Sequence, residues 1–302
     1  MSIGVLLLHS HLIRSGCFQH QCSDVLQIIS QYTKPVRCCG QFAREITSSF
    51  AFDNYNFDIG PNDCAYIGQQ SSHIQKNLFS IVDLAGTLRG QFSSIGNKDA
   101  QVGDARQLIV HNDEVLILDR KHHAIKIFSL DGNYRRKLCM AIGNKIYISG
   151  IYIFRNELYV RYYNKTIEVY TLKGYRLRTF ESGGGLSNSI VVTEPNGDII
   201  LFDINQSGEI IVCDREGKYL NSIHVGSEML SVCQVCVSPY NEIFICDCIG
   251  RVEVYAPPLF NTLLRSFNAV FTGDDFSLIQ NMTFSPNGQL ALLTSRDISF
   301  YS

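Results

Sequence analysis

A short pattern of β-rich runs recurs about six times along this chain. A repeat of that length cannot bury its own apolar face, so the copies must pack against one another. The clearest copy runs from Glu114 to Leu138. It has a strand-like run Glu114–Asp119, a polar loop Arg120–His123, a second run Ala124–Ser129, an Asp131-Gly132 turn and a third run from Tyr134. Copies on the same landmarks occupy Glu157–Phe180, Asp198–Ile223 and Glu242–Phe267. A less regular copy covers Asp63–Phe92, and the last, Gln289–Tyr301, stops before its final run. The turn glycines Gly86, Gly132, Gly174 and Gly217 are spaced 46, 42 and 43 residues apart, the period of a propeller blade.

Each copy is preceded by one more apolar run, such as Gln107–Val110, Gly150–Phe154, Ser189–Thr193, Gln234–Ser238 and Asn281–Phe284. Tight polar turns follow these runs, for example Glu194-Pro195-Asn196-Gly197 and Ser285-Pro286-Asn287-Gly288. Their Pro and Gly supply the fixed and positive φ values a hairpin needs. Each repeat therefore reads as four antiparallel strands, numbered first to fourth. The expected fold is all-β, a six-bladed β-propeller of four-stranded antiparallel blades. A ring must pair its first and last blades or leave edges open. The last copy lacks a fourth strand, and Gly40-Gln41-Phe42 echoes Gly90-Gln91-Phe92. Residues 35–42 are therefore expected to complete the last blade. The expected organisation is an N-terminal extension, 1–34, and a propeller, 35–302. Strand-like runs at Gly4–His9 and Val25–Ser30 leave material beyond six blades, so a seventh or partial blade stays open.

The segment Asp119-Arg-Lys-His-His-Ala-Ile-Lys-Ile-Phe128, with Asp131-Gly132 behind it, resembles the NHL-repeat β-propellers, as in the tripartite-motif/NHL proteins. That family ends its second strand on Asp, follows with a polar loop bearing a basic or His position, and has an Ile-x-Val/Ile-Phe third strand before a Gly turn. Asp203 and Asp247 keep the Asp, while Arg161 and Gly68 end their runs without it. The resemblance spans roughly Gln31 to Ser302. It implies recognition of protein or RNA by one face of the ring, and a fold alone does not fix the activity.

Composition excludes several classes. No apolar run approaches a membrane span, so no membrane partner is expected. The apolar start Met1–Leu8 has no basic region ahead of it and is interrupted by His9, His11 and Arg14, unlike an export signal. The 11 cysteines are odd in number, and Cys64, Cys213, Cys233 and Cys246 sit inside strands. That usage fits small buried residues in a reducing compartment, and the expected location is cytoplasmic. The sequons at Asn164, Asn205 and Asn281 are then chance matches.

Cys233-x-x-Cys236 and Cys246-x-Cys248 form a four-thiol set that zinc would need in a tetrahedron. Strand alternation puts Cys233 and Cys236 on opposite faces, so without a bulge the four do not converge, and no metal or cofactor is expected. A calcium-dependent propeller hydrolase or lyase needs oxygen ligands around the channel. The first strands read above carry almost no carboxylates, and no catalytic motif occurs, so no enzyme is expected. The charge is more telling. The whole chain is −2, yet Arg120–Phe180 holds 13 basic and three acidic residues, with eight tyrosines among them. Basic groups interleaved with aromatics are what single-stranded nucleic acid binders use. Arg135, Arg136, Lys137, Arg176 and Arg178 fall on fourth strands, where charge blunts edge-to-edge pairing. The second–third and fourth–first connections leave a blade on the same face. That face is expected to gather Arg120, Lys121, His122, His123, Lys145, Arg161, Tyr163 and Lys165 into a ligand surface. The expected role is a non-enzymatic protein-interaction scaffold, with an RNA-binding propeller as the alternative and a calcium-dependent hydrolase or lyase as the remote one.

Overall fold

The structure, a computed structural model, describes residues 42–47, 56–70, 77–139, 147–181, 189–193, 196–202, 209–226, 229, 232–256, 260, 262–269, 279–294 and 297–301. All lie in one compact unit, Cys38–Ser302. The expected extension 1–34 falls outside them.

The described strands form six four-stranded antiparallel sheets, the blades of a propeller. Strand β1 (Phe42–Thr47) belongs to the last blade. Blade 1 is β2 (Phe57–Ile59), β3 (Cys64–Gln70), β4 (Asn77–Asp83) and β5 (Leu88–Phe92). Blade 2 is β6 (Ala105–His111), β7 (Glu114–Asp119), β8 (Ala124–Ser129) and β9 (Tyr134–Cys139). Blade 3 is β10 (Ile148–Phe154), β11 (Glu157–Tyr162), β12 (Thr166–Thr171) and β13 (Arg176–Glu181). Blade 4 is β14 (Ser189–Val192), β15 (Ile199–Phe202), β16 (Glu209–Cys213) and β17 (Tyr219–His224). Blade 5 is β18 (Val232–Val237), β19 (Ile243–Asp247), β20 (Arg251–Ala256) and β21 (Thr262–Asn268). Blade 6 is β22 (Asn281–Phe284), β23 (Leu290–Leu293) and β24 (Asp297–Tyr301), with β1 as its outer strand. The strand that pairs with β24 is Phe42–Thr47, running from Phe42 opposite Tyr301 to Thr47 opposite Asp297. It meets the expected run 35–42 only at Phe42, and the rest of that run lies outside the described residues.

The core lies between the blades. Six clusters of buried side chains fill six seams, each drawing on two adjacent blades: Ile245 shares one with Ile200, Leu116 with Leu158, and Phe57 with Phe300. The second strands are covered on both faces, so β15 and β23, and β19 up to Asp247, read as continuous apolar runs, buried throughout. The fourth strands, at the rim, are half exposed.

Three devices repeat from blade to blade. The turn between third and fourth strands carries Asp, Ser or Thr three residues ahead of a glycine with φ of 80–88°: Asp83/Gly86, Ser129/Gly132, Thr171/Gly174 and Asp214/Gly217. The side-chain oxygen accepts the N–H four residues on, at 2.8 Å for Thr87 and Lys218 and 3.1 Å for Asn133 and Tyr175. This local bond substitutes for backbone pairing in the turn. The second device is a Glu at or just ahead of the start of the second strand that pairs with an Arg on the fourth: Glu114–Arg136, Glu157–Arg178 and Glu242–Arg265. In two of these the guanidinium also lies over the second-strand ring, Tyr159 or Phe244. The rim arginines thus reach back across the blade rather than guarding its edge. The third device is an amide clasp between inner strands. Gln107 donates to the Ile151 carbonyl at 2.9 Å and accepts from its N–H at 2.8 Å, and Gln234 donates to the Gln280 carbonyl at 3.1 Å.

Candidate functional site

The second–third loop of blade 2 is organised by the carboxylate at the end of β7. Asp119 is fully buried. It accepts the N–H groups of Gly103 (2.9 Å) and Asp104 (3.1 Å), a ring nitrogen of His122 (2.6 Å) and the Lys126 ammonium (3.2 Å). Burial alone would raise its pKa, but these donors outweigh it and hold the carboxyl below the usual range. The same side chains secure the linker entering blade 2. His122 Nε2 faces Asn97 Oδ1 at 3.2 Å, and the buried Lys126 donates to the Lys98 carbonyl at 3.3 Å and to that of Gln101. Gly103 is required here by close approach: a Cβ would lie 2.6 Å from His122 Cε1.

Over this base the two connections meet as the strand order demands. Arg120 N donates to Asp104 O at 2.8 Å, and in blade 3 Tyr163 N donates to Tyr147 O at 3.1 Å. Asp104, Arg120, Lys121, His123, Tyr147 and Tyr163 line a shallow cleft of about 610 Å³ spanning blades 2 and 3. Arg120 is tied to Asp104 by Nε–Oδ2 at 2.8 Å, whereas Lys121 is exposed. The His123 ring lies tilted against Tyr147, with centroids 5.2 Å apart and planes 34° from parallel. Tyr147 and Tyr163 expose 54% and 38% of their surface, high for large rings.

Four of the eight expected residues, Arg120, Lys121, His123 and Tyr163, therefore converge. His122 is engaged below with Asp119 and Asn97. Lys165 sits in the β11–β12 turn with φ of 71° and does not line the cleft. Lys145 lies outside the described residues. Arg161 corrects an expectation: it is 1% exposed and cannot present charge on the face. It stands in a second strand covered on both sides, and the Asp119-equivalent place opposite the start of β10 belongs to Tyr162. Tyr162 and Tyr170 donate to Glu168 there. Tyr147 and Asp104 were not singled out from sequence. Both sit just ahead of a first strand, where the carbonyl accepts from the second–third loop of the same blade, Asp104 from Arg120 and Tyr147 from Tyr163, and that is the signal that finds them.

The thiols also differ from expectation. The β18–β19 register shifts between Val232 and Gln234, making Cys233 a bulged residue. Cys233 and Cys236 then both pack against the cluster that holds Cys246. Burial, followed by the Cys233 thiol beside it, pushes Cys246 well above the usual thiol range. No group of three or more His, Cys, Asp or Glu side chains among the described residues is arranged to hold a metal ion.

The central channel is lined by the first strands and encloses about 430 Å³. It holds one carboxylate that sequence reading missed, Asp58, because β2 is only three residues long. Asp58 accepts from Val110 N (2.8 Å), Ile59 N (2.9 Å) and Thr283 Oγ1 (2.9 Å), and so joins blades 1, 2 and 6. Desolvation pushes its pKa to about 6 despite these donors. At the opposite end of β6, the register shifts between Ala105 and Gln107. Arg106 is the extra residue and lines the channel mouth.

This geometry defines a six-bladed β-propeller with a loop cleft on one face and a polar axial channel. No family model matches the chain, and no curated protein matches it. Solved structures do. One described as a streptogramin B lyase is 12% identical with a TM-score of 0.60, over 86% of this chain and 97% of that one. A catalytically inactive virginiamycin B lyase from Staphylococcus aureus with quinupristin is 12% identical with a TM-score of 0.60, over 87% and 100%. The selenomethionine-substituted virginiamycin B lyase from Staphylococcus aureus is 13% identical with a TM-score of 0.58, over 86% and 99%. At this identity the likeness is one of fold. No helix among the described residues is long and apolar enough to cross a membrane.

Proposed function

We propose that this chain is a non-enzymatic recognition module of the NHL-repeat kind, acting in the cytoplasm, and that the blade 2–3 cleft takes a segment of a partner protein. The observation that supports this reading is the pair of exposed tyrosines, Tyr147 and Tyr163, held beside Lys121 over a base hydrogen-bonded through Asp119. Aromatic anchors in preorganised pockets carry most of the energy of protein interfaces. The RNA reading needs a track of free cations along a phosphate backbone. Most of the basic residues counted from sequence are instead paired with acids: Arg120, Lys126, Arg135, Arg136, Lys137, Arg176 and Arg178. The lyase activity in the names of the similar structures belongs to those proteins.

The test is selection of displayed peptides on the full chain, followed by affinity measurements on variants. Tyr163→Ala and Lys121→Glu are expected to weaken the selected peptides at least tenfold, while the rim variant Arg135→Glu leaves them unchanged. Equal loss from all three would reduce the binding to general charge attraction. Single-stranded RNA binding with a steep salt dependence that Lys121→Glu flattens would favour RNA instead.

A further inference from the structure

We propose that the mouth of the central channel is a second binding site, taking a small oxyanion-bearing ligand, a carboxylate or phosphate, through Arg106. Arg106 is the bulged residue of β6: Ala105 faces Asp119 and Gln107 faces Leu118, leaving Arg106 unmatched. Bulges re-aim side chains and concentrate beside binding sites. The same displacement recurs at the start of the first strand in blades 3 and 5, where Ser149 and Cys233 are the unmatched residues. The backbone on either side is fixed, by the two-way Gln107–Ile151 clasp and by Asp104 N on Asp119. The guanidinium is therefore presented from a rigid frame rather than a loose loop.

Its charge meets no acid among the described residues. Arg106 is exposed, lines the 430 Å³ cavity, and has no ion-pair or hydrogen-bond partner among the described residues. The channel's one carboxylate, Asp58, lies by Val110 at the other end of β6, and both its oxygens already accept hydrogen bonds. His111, also in the lining near that end, has its Nε2 against Asn156 Oδ1 at 3.1 Å. A free guanidinium fork in a polar enclosure is matched by a planar carboxylate or a phosphate, which it can hold by two parallel hydrogen bonds. The cavity has the size of small-molecule sites. This inference does not rest on the cleft reading, because Arg106 lies outside the cleft lining.

Titration calorimetry on the full chain, with succinate and inorganic phosphate as separate probes, tests it. Saturable binding of at least one probe is expected, weakened tenfold or more in Arg106→Gln. Arg106→Lys should fall between, since it keeps the charge without the fork. Arg89→Gln, which removes a rim charge paired with Asp83, should bind as the unaltered protein does. The better probe assigns the ligand as a carboxylate or a phosphate. Absence of saturable binding by either probe, or equal loss in Arg106→Gln and Arg89→Gln, would overturn the proposal. Melting curves of each variant separate lost binding from lost folding, and peptide binding at the cleft should persist in Arg106→Gln.

Discussion

Asp58 makes the stability of this ring depend on pH in a direction opposite to that of most carboxylates. Its folded pKa of about 6 lies above the ordinary 3.8. The native state therefore binds its proton more tightly than the unfolded chain does. The resulting stabilisation is complete below pH 3.8 and is lost as pH rises through about 6. A difference of that size, at 1.36 kcal/mol per decade, corresponds to about 3 kcal/mol. Other groups titrate over the same range, so the measurement is a difference between the protein and Asp58→Asn. The amide keeps the volume and one acceptor but no longer titrates. Its NH2 faces the Val110 N–H that the carboxylate now satisfies, and that mismatch costs roughly 1–3 kcal/mol at every pH. Urea unfolding at intervals from pH 4 to 7.5 should show the unaltered protein ahead at low pH. Its lead should shrink by about 3 kcal/mol on crossing pH 6. A gap constant across the range would refute the claim that a desolvated carboxyl joins the three blades.

Three further outcomes follow from the same geometry. Asp119→Ala should cost about 3–5 kcal/mol and speed amide exchange across residues 93–104, because it leaves the buried Lys126 without its counter-ion and two backbone N–H groups without their acceptor; unchanged exchange there would contradict the hub. Gly103→Ala should lower the melting temperature through collision with the His122 ring, whereas Gly288→Ala meets no atom within 4 Å and should act only through its φ of 84°; equal exchange at 93–104 in both variants would count against the collision. A chain beginning at residue 48 lacks β1 and exposes the β24 edge, so its unfolding should lose cooperativity; melting like the full chain would show that β1 does not close the ring.

The architecture was legible because its signals are periodic. Glycines at positive φ, second strands apolar throughout and polar–aromatic loops recur at blade spacing, and each copy supports the reading of the others. What escaped was aperiodic or too short to carry a pattern. Strand β2 has three residues, so Asp58 could not be placed on a first strand, and the channel was read as lacking the carboxylate it has. The bulges at Arg106, Ser149 and Cys233 reverse the face assignment from that point on, and nothing in the local sequence distinguishes an extra residue from a paired one. The cysteine pair was misplaced for that reason alone.

The charge count failed for a different physical reason, and the failure bears on function. Arg120–Phe180 is strongly basic along the chain, but a propeller folds that window back on acids outside it. Arg120 pairs with Asp104, Lys126 with Asp119, Arg135 with Asp113, Arg136 with Glu114 and Lys137 with Asp99, all five acids N-terminal to the window. In the other direction, Arg215 of blade 4 joins Arg178 on Glu157. Charge read along a sequence measures a field only where neighbours in sequence are neighbours in space. In blades 2, 3 and 5 a fourth-strand arginine finds its partner at the start of the second strand, some 21 to 23 residues away. Such pairs at the surface fix side chains more than they add stability. They also remove cations from any phosphate track. Lys121 at the cleft and Arg106 at the channel mouth remain as exposed cations beside cavities, and so carry the argument for ligands at both places.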